Sequence, residues 1–346
     1  MTTPLAFGAM PDGTRIEEVA LECGGLSARI ITWGAVVRDL RLAGHAAPLV
    51  LGFETLAPYL TDSPHFGAIA GRYANRIRDG RFVLDGQAVQ VDRNFQGRHH
   101  LHGGSVAFGK RAWRIVELSG DAVTLQLDDP AGSGGFPGAL SARCTYRLGP
   151  DGTLEVLLEA ATDAPTICNL AQHSYFNLDD GGAGDVLGHR LRVAAEHYLA
   201  VDDGLIPVGD PAPVAGTPFD YRADRPIGAA LPEGGLDHNF CLAPARGGVR
   251  PVAWLAGAGG VSMTVETTEP GLQVYAGAKL NVGPPGLGGR RYGPHAGIAL
   301  EPQAWPDAPN RPEFPQATLR PGETYRQLTR YRFALKGAVA GGPAVI

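Results

Sequence analysis

Short runs of apolar and β-branched residues recur along the chain, and turn residues separate these runs at close intervals. No run keeps a period near 3.6 residues for long, so the pattern favours strands over helices. Residues 28–42 (ARIITWGAVVRDLRL) predict two short strands around Gly34. Residues 81–91 (RFVLDGQAVQV) predict a hairpin, because Asp85-Gly86 suits a type I′ turn whose central residues need positive φ.

Further strand–turn–strand patterns follow, and they make neighbouring strands antiparallel. The runs are residues 113–118 with 122–127, and residues 141–148 with 153–159. Residues 263–267 and 271–276 predict strands that bracket Glu269-Pro270, and residues 323–335 predict a closing pair of strands. Only residues 222–231 offer a short helix candidate, so we expect an all-β protein.

The abundance of glycine and proline supports many turns between short strands, since 49 glycines and 28 prolines are spread over 346 residues. This length fits either two ordinary domains or one large β domain. No linker separates two halves, so we expect one domain over residues 1–346. The long Gly/Pro-rich segments are expected to be loops that carry binding sites: residues 179–185, 204–218 and 281–294.

The charge balance excludes several classes of partner. A formal net charge of -5 gives no basic surface for nucleic acid or for an anionic membrane, and favours a small neutral partner. The four cysteines form no CxxC pair, so we expect isolated reduced thiols. We see neither a leader-like start nor 18 consecutive apolar residues, and we therefore expect a cytoplasmic protein.

Histidines in two polar clusters are the first candidates for chemistry. His102 precedes Gly103-Gly104, where the backbone can turn sharply towards a ligand, although a solvated loop histidine fits this segment equally well. His99, His100 and His102 lack a nearby carboxylate or cysteine at a recognisable metal-ligand spacing, so we expect no metal site.

His173 and Glu301 are the next candidates. His173 lies among polar and aromatic residues that would shield an imidazole from water, and a satisfied core histidine is the alternative. Glu301 lies between the apolar residues 298–300 and Pro302, so its carboxylate must be paired, hydrogen-bonded or functional. Taken alone, this glutamate fits a structural ion pair better than a catalytic role.

Several motifs occur in a fixed order over roughly residues 60 to 335. They are Phe66-Gly67, Gly71-Arg72, Ala74-Asn75-Arg76, Leu101-His102-Gly103-Gly104, the segment 169–178 (NLAQHSYFNL), Gly216-Thr217-Pro218-Phe219-Asp220, Asp237-His238-Asn239-Phe240, Gln273-Val274-Tyr275, Leu300-Glu301-x-Gln303, Pro306-Asp307-Ala308 and Leu319-Arg320-Pro321-Gly322-Glu323. In content and order, this set closely resembles the aldose 1-epimerase (galactose mutarotase) family.

The resemblance implies a large antiparallel β-sandwich, the galactose mutarotase-like supersandwich, that holds a sugar on its concave face. It implies that Glu301 is the catalytic base, His173 the acid and His102 a second active-site histidine. It also implies that hydroxyl groups of the sugar bind to Asn75, Arg76, Asp237 and Gln273. The sequence departs from the family pattern at Pro302 and Trp305, which we expect to reshape the pocket.

The implied reaction interconverts the α and β anomers of a free aldohexose or aldopentose. One group removes the proton on O1 and another protonates the ring oxygen, so no metal or redox cofactor is expected. Ordinary pKa values of about 4.3 for Glu and about 6.5 for His let a carboxylate and an imidazolium coexist, each favouring the charged form of the other. Tyr175 or Trp305 would lie against the sugar ring, and we expect a monomer or a weak homodimer.

Three alternatives remain open from the sequence. A non-catalytic carbohydrate-binding or sugar-sensing protein could use the same fold. A hexose-6-phosphate 1-epimerase would need a cationic pocket, for which Arg72, Arg76, Arg78 and Arg81 are near one another in sequence. A glycoside hydrolase would need a second carboxylate, for which Asp237 is the candidate.

Overall fold

Strands make up most of the regular structure in residues 3–336, the part of the chain that the computed structural model describes. The strands up to residue 162 are β1 (Leu5–Ala9), β2 (Arg15–Cys23), β3 (Leu26–Ile31), β4 (Val36–Leu42), β5 (Ala68–Ala70), β6 (Arg76–Ile77), β7 (Arg81–Leu84), β8 (Gln87–Gln90), β9 (His100–Leu101), β10 (Arg114–Leu118), β11 (Ala122–Asp129), β12 (Leu140–Gly149) and β13 (Thr153–Thr162). The helix α1 (Ala57–Thr61) lies before β5.

The second half of the described chain continues in the same way. Its strands are β14 (Thr166–Ile167), β15 (Ala171–His173), β16 (Tyr175–Phe176), β17 (Arg190–Val193), β18 (His197–Tyr198), β19 (Ala212–Pro213), β20 (Arg225–Pro226), β21 (Asp237–Cys241), β22 (Arg250–Ala256), β23 (Val261–Thr267), β24 (Gly271–Tyr275), β25 (Ile298–Gln303), β26 (Thr318–Leu319) and β27 (Tyr325–Leu335). Short 3₁₀ turns lie at Arg78–Gly80, Gly104–Val106, Phe108–Lys110, Ser133–Gly135, Ile227–Ala230, Leu287–Gly289 and Ala308–Asn310.

Two large antiparallel sheets form the frame. The nine-stranded sheet has the order β10-β11-β12-β13-β27-β23-β22-β17-β20, and the six-stranded sheet has the order β16-β25-β24-β21-β18-β19. Strands β1 to β4 form a third sheet in sequence order, and four two-stranded ribbons complete the set. The fold is therefore all-β and antiparallel, as the sequence predicts.

The two large sheets enclose a common hydrophobic core. Leu300 of β25 and Phe333 of β27 belong to one buried cluster, and the Tyr331 hydroxyl donates a hydrogen bond to the Leu300 carbonyl at 3.2 Å. The Phe176 ring of β16 packs 5.0 Å from the Tyr331 ring. Because side chains alternate along a strand, Glu301 lies on the face of β25 that points away from this core.

The structure confirms the predicted strands and hairpins of the first half. Residues 28–42 contain β3 and β4, and the hairpin turn between β7 and β8 has φ of 48° at Asp85 and 78° at Gly86. The pairs β10–β11 and β12–β13 are antiparallel neighbours. The two strands around Glu269-Pro270 are also present, but they lie in different sheets, so these residues carry the chain from one sheet to the other.

Two predictions were wrong. Residues 222–231 form β20 and a 3₁₀ turn instead of a helix, because the N–H groups of Ile227 and Gly228 bond to carbonyls of residues 189 and 187 outside the segment. Residues 323–335 form the single strand β27 instead of a pair of strands. Its interior lacks turn residues, and it hydrogen-bonds to β13 on one side and to β23 on the other. Within residues 3–336, no helix has the length and apolar character needed to cross a membrane.

Candidate active site

Three neighbouring strands of the six-stranded sheet place polar side chains on one face. Glu301 of β25 pairs with Gln273 of β24, which in turn pairs with Asn239 of β21. Asp237 lies two residues before Asn239 and therefore on the same face. Its Oδ1 accepts a hydrogen bond from Gln273 Nε2 at 2.5 Å. The sheet thus presents the carboxyl group of Glu301, the amide of Gln273 and the carboxyl group of Asp237 side by side.

The ribbon of strands β6 and β9 and the loops beside it supply the next polar side chains of the site. Arg76 of β6 pairs with Leu101 of β9, which brings Asn75 and His102 together. The Asn75 N–H donates to His102 Nδ1 at 3.2 Å, so the proton of a neutral His102 ring lies on Nε2. Arg76 donates to Asn75 Oδ1 at 3.3 Å and to Asp237 Oδ2 at 3.3 Å, which links the loop to the sheet.

His173 completes the arrangement from β15. Its Nε2 lies 3.6 Å from Glu301 Oε2, and both side chains are buried. One ligand-capable atom each from His102, His173 and Glu301 lies within 4.8 Å of the other two. All seven side chains that the sequence singles out line one cavity of about 210 Å³, namely Asn75, Arg76, His102, His173, Asp237, Gln273 and Glu301.

Several buried polar atoms in this cavity have no hydrogen-bond partner within residues 3–336. They are Glu301 Oε2, His173 Nδ1, Gln273 Oε1 and Arg76 Nε. Buried polar atoms are normally paired, and an unpaired one costs roughly 1–3 kcal/mol. A cavity that gathers both unpaired donors and unpaired acceptors fits a polar ligand with several hydroxyl groups.

Burial governs the protonation of the central pair. It raises the pKa of Glu301 well above its ordinary value, with the negative Asp237 adding to this and Arg76 opposing it. Burial also lowers the pKa of His173 to about 4. The expectation that each group favours the charged form of the other was therefore wrong, because loss of solvation outweighs an attraction across 3.6 Å.

A pair of this kind that shares one titratable proton can hold it in two ways. A neutral imidazole beside a protonated carboxyl holds one proton, and so does an imidazolium beside a carboxylate. Burial therefore favours the arrangement in which Glu301 holds that proton and His173 is neutral. Such a pair can exchange the proton through a bound molecule without taking one from solvent.

Several histidines have pKa values lowered by burial, which predicts that the folded protein loses stability in acid. Burial lowers the pKa of His65 to about 3, and that of His100, His173 and His238 to about 4 each. The unfolded chain binds these protons near pH 6.5, whereas the folded protein binds them only below these values. We therefore expect each histidine to reduce the unfolding free energy by about 1 kcal/mol per pH unit between pH 6.5 and pH 4. Thermal unfolding midpoints measured from pH 7.5 to pH 5 would show this decline.

A matched pair of variants tests the cause of this decline. His238→Gln removes one buried histidine that lies outside the cavity, and His197→Gln removes an exposed one. The first should reduce the slope of unfolding free energy against pH, and the second should leave it unchanged. A wild-type midpoint that is constant across this range would contradict the prediction.

Some cavity residues were missed from the sequence. His65, Tyr275, Phe95, Leu205 and Lys279 also line it. Tyr275 ends the Gln273-Val274-Tyr275 motif, so its place beside Gln273 was available as a signal. The ring of His65 stacks on His173 with centroids 5.6 Å apart, a contact between separate segments that no local pattern reveals.

Other expectations about this region were wrong. Trp305 does not line the cavity, because β25 ends at Gln303 and the indole then packs on Phe314 and donates to the Pro270 carbonyl. Pro302 does not line the cavity either, since it points to the other face of β25 from Glu301. Tyr175 does line it, as predicted.

The arginines do not form a cationic cluster at the cavity. Arg72 is buried against Asp129, and Arg78 pairs with Asp202, so neither reaches the cavity, and Arg81 is exposed elsewhere. Only Arg76 of the four lines it. His99 and His100 also point elsewhere, and their ring nitrogens accept hydrogen bonds from the N–H groups of Asp79 and Gly103.

Comparison with known proteins places the chain in a family. Residues 17–332 match the family model described as aldose 1-epimerase. The chain belongs to the aldose 1-epimerase family. The motifs named above, from Phe66 to Glu323, all lie within the matched range, and the family acts on sugars.

Relatives in this family match the chain over nearly its full length. It is 40% identical to the galactose mutarotase of Rattus norvegicus over 340 residues, covering 96% of this chain and 98% of that one. It is 38% identical to the aldose 1-epimerase of Escherichia coli over 339 residues, covering 93% and 96%. The crystal structure of galactose 1-epimerase from Lactobacillus acidophilus superposes with a TM-score of 0.84 at 28% identity, covering 97% and 99%.

Proposed function

We propose that this protein is an aldose 1-epimerase that interconverts the α and β anomers of a free aldohexose or aldopentose. The observation that supports it best is the pairing of Glu301 with His173 at 3.6 Å in a buried polar cavity with unpaired donors and acceptors. One carboxyl group and one imidazole are the two proton-transfer groups that ring opening of a hemiacetal needs. The chemistry calls for no metal or redox cofactor.

The reaction begins with the one proton of the pair on His173. Glu301 removes the proton from O1 of the sugar while His173 protonates the ring oxygen O5, so the bond between C1 and O5 breaks and the aldehyde forms. After rotation about the bond between C1 and C2, His173 takes the O5 proton back and Glu301 returns a proton to O1. Each proton transfer contributes roughly 10²- to 10⁴-fold to the rate.

The remaining cavity residues hold the sugar. We assign hydroxyl binding to Asn75, Arg76, Asp237 and Gln273. The two amides both donate to and accept from vicinal hydroxyls, the carboxylate only accepts, and the guanidinium only donates. His102 donates from Nε2 towards the ring oxygen, because Nδ1 already accepts the Asn75 N–H at 3.2 Å. Its role is to hold the open chain in place between ring opening and closure.

The alternatives are less well supported by the site. A hexose-6-phosphate enzyme needs several cations around the phosphate, and only Arg76 of the four clustered arginines lines the cavity. A glycoside hydrolase needs two carboxyl groups free to act, whereas Asp237 accepts hydrogen bonds from both Arg76 and Gln273. A binding module has no need for a proton-transfer pair.

Polarimetry tests the proposed activity. Single-anomer glucose, galactose, xylose and arabinose are dissolved freshly, and their optical rotation is followed with and without the protein. We expect the protein to accelerate the approach to equilibrium for at least one of these sugars. Binding of an aldose without acceleration would instead establish a sugar-binding protein.

Asp237→Asn tests the binding assignment. The change removes the charge that Arg76 and Gln273 stabilise and weakens the hydrogen bonds to the sugar. We expect kcat/KM to fall about 10- to 100-fold, mostly because KM rises. A loss of this size is typical when hydrogen bonds to a charged group are removed. Asp224→Asn, at an exposed ion pair with Arg190, is the matched control and should leave KM unchanged. A normal KM in the Asp237 variant would remove this residue from the sugar site.

We also propose one domain for the whole chain, a cytoplasmic location, and a monomer or weak homodimer. One buried cluster that runs from Val19 to Phe333 supports the single domain. Four free cysteines fit a reducing compartment. The large exposed apolar side chains in the described range, Leu5, Val83 and Val208, lie on separate segments, which fits a surface without a large interface.

A further inference from the structure

A second cavity lies beside the candidate active site. It has a volume of about 250 Å³, and His65 lines both it and the sugar cavity. Besides Thr61, whose hydroxyl donates to Asp62, its lining contains the polar side chains of Trp33, Tyr59, Ser63 and Lys110. The proposed reaction uses none of these four residues.

The polar side chains of this second cavity can all donate hydrogen bonds, they are interspersed with the apolar Val36, Leu60 and Ala68, and no carboxylate lines it. Lys110, an exposed cation, has no ion-pair partner among residues 3–336, and the Trp33 indole N–H has no acceptor there. Ser63 Oγ and the Tyr59 hydroxyl each accept one backbone N–H, at 3.0 Å and 2.9 Å, which leaves their own protons available. Asp62, the neighbouring carboxyl group in sequence, accepts from Thr61 and is not part of the lining.

The sugar cavity has the opposite character. Glu301 and Asp237 line it, and such carboxylates accept hydrogen bonds from the hydroxyl groups of a neutral sugar. A cavity of donors with a lysine instead favours a ligand that is rich in acceptors and negatively charged, because hydrogen bonds from donors to oxyanions are short and strong. The two cavities therefore suit different ligand classes.

His65 connects the two cavities through an uncommon backbone conformation. Its φ of 67° lies in the left-handed region, which is strained for a residue with a side chain and is frequent at functional sites. This conformation places the ring 4.8 Å from His102 and 5.6 Å from His173, measured between centroids. The positive Lys110 also contributes to the low pKa of His65, after burial and His173, so the two side chains are close enough to interact.

We propose that the second cavity binds a small oxyanion of the phosphate or carboxylate class, held by Lys110, Trp33 and Ser63 beside the ring of His65. The bound anion would touch the imidazole that stacks on His173. Either a free anion or an anionic group carried by the sugar itself presents this chemistry. Binding of a free anion does not depend on the proposed function, whereas binding through the sugar does.

Titration with inorganic phosphate, followed by phosphorus NMR of the full-length protein, tests the site. The chain provides matched variants in its three lysines: Lys110 at the second cavity, Lys279 at the sugar cavity and the exposed Lys336. We expect saturable binding to the wild type and at least tenfold weaker binding to Lys110→Met, as for one lost charged hydrogen bond. Lys279→Met and Lys336→Met should bind phosphate normally.

Three results would overturn the proposal. They are the absence of saturation up to about 50 mM phosphate, equal binding by the wild type and Lys110→Met, and loss of binding only in Lys279→Met. The last result would place the anion in the sugar cavity. Because this titration measures binding alone, its outcome is independent of whether the protein catalyses anomer exchange.

A second measurement distinguishes the two sources of the anion. KM is compared for a neutral hexose and for the same hexose carrying a 6-phosphate or a 6-carboxylate. A rise of at least tenfold in KM for the charged sugars in Lys110→Met, with KM for the neutral sugar unchanged, shows that the anion arrives on the sugar. Unchanged KM for all of these sugars, together with weakened phosphate binding, shows that the site takes a free oxyanion.

Discussion

Glu301→Gln should lower the turnover number for anomer exchange by at least about 10²-fold, the low end for loss of one general acid or base. An amide of nearly the same shape still fills the space beside Gln273 and His173, but it cannot accept the O1 proton. The measurement is the rate of change of optical rotation at saturating sugar. KM should change little, because shape and most hydrogen bonds are kept.

The stability of this variant separates lost chemistry from lost structure. Burial raises the pKa of Glu301, so at pH 7 ionisation is harder in the folded protein than in the unfolded chain, and the group destabilises the fold. Replacing it by a neutral amide should leave the unfolding midpoint equal or higher. Glu22→Gln, on the exposed side of β2, is the matched control and should keep full turnover. Wild-type turnover in Glu301→Gln would remove this residue from the reaction.

Much of the fold follows from local patterns. The Asp85-Gly86 turn and the alternating run of residues 141–148 specify hairpins because turn chemistry and period-two burial act over a few residues. The chain crossing at Glu269-Pro270 was not predictable in this way. The same turn residues can join two paired strands or two different sheets, and only the long-range pairing of β23 with β27 decides between them.

The residues of the site can be divided in the same way, into those that sequence motifs reveal and those that depend on contacts between distant segments. Glu301, Gln273 and Asp237 lie in recognisable motifs on adjacent strands, so the resemblance to a known family was enough to select them. His65 was not selected, because its importance depends on stacking against His173 from a distant segment. Trp305 was expected in the cavity because it is close in sequence to Glu301. However, β25 ends at Gln303, and the indole packs against Phe314 instead.

The protonation of the site could not be predicted from ordinary pKa values. Those values suggest a carboxylate facing an imidazolium, whereas burial favours the neutral form of each group. A bound sugar supplies hydroxyl groups that solvate either charge distribution, which reduces the cost of moving the single proton between the two partners. The cavity is thus suited to a reaction in which the base and the acid exchange roles.

His173→Asn should also lower turnover by at least about 10²-fold, because asparagine can hydrogen-bond to O5 but cannot protonate it. Optical rotation again provides the rate, and His197→Asn, at an exposed histidine, is the control that should retain full activity. An active His173→Asn protein would show that another group, such as His102, protonates the ring oxygen.

The double variant Glu301→Gln/His173→Asn tests whether the two residues act as a unit. If ring opening needs the removal of one proton and the delivery of another in a single event, loss of either group already abolishes that route. The double variant should then be about as slow as the slower single variant, well short of the product of the two losses. Losses that multiply would mean that Glu301 and His173 contribute independently, and that the 3.6 Å approach of their side chains is incidental to catalysis.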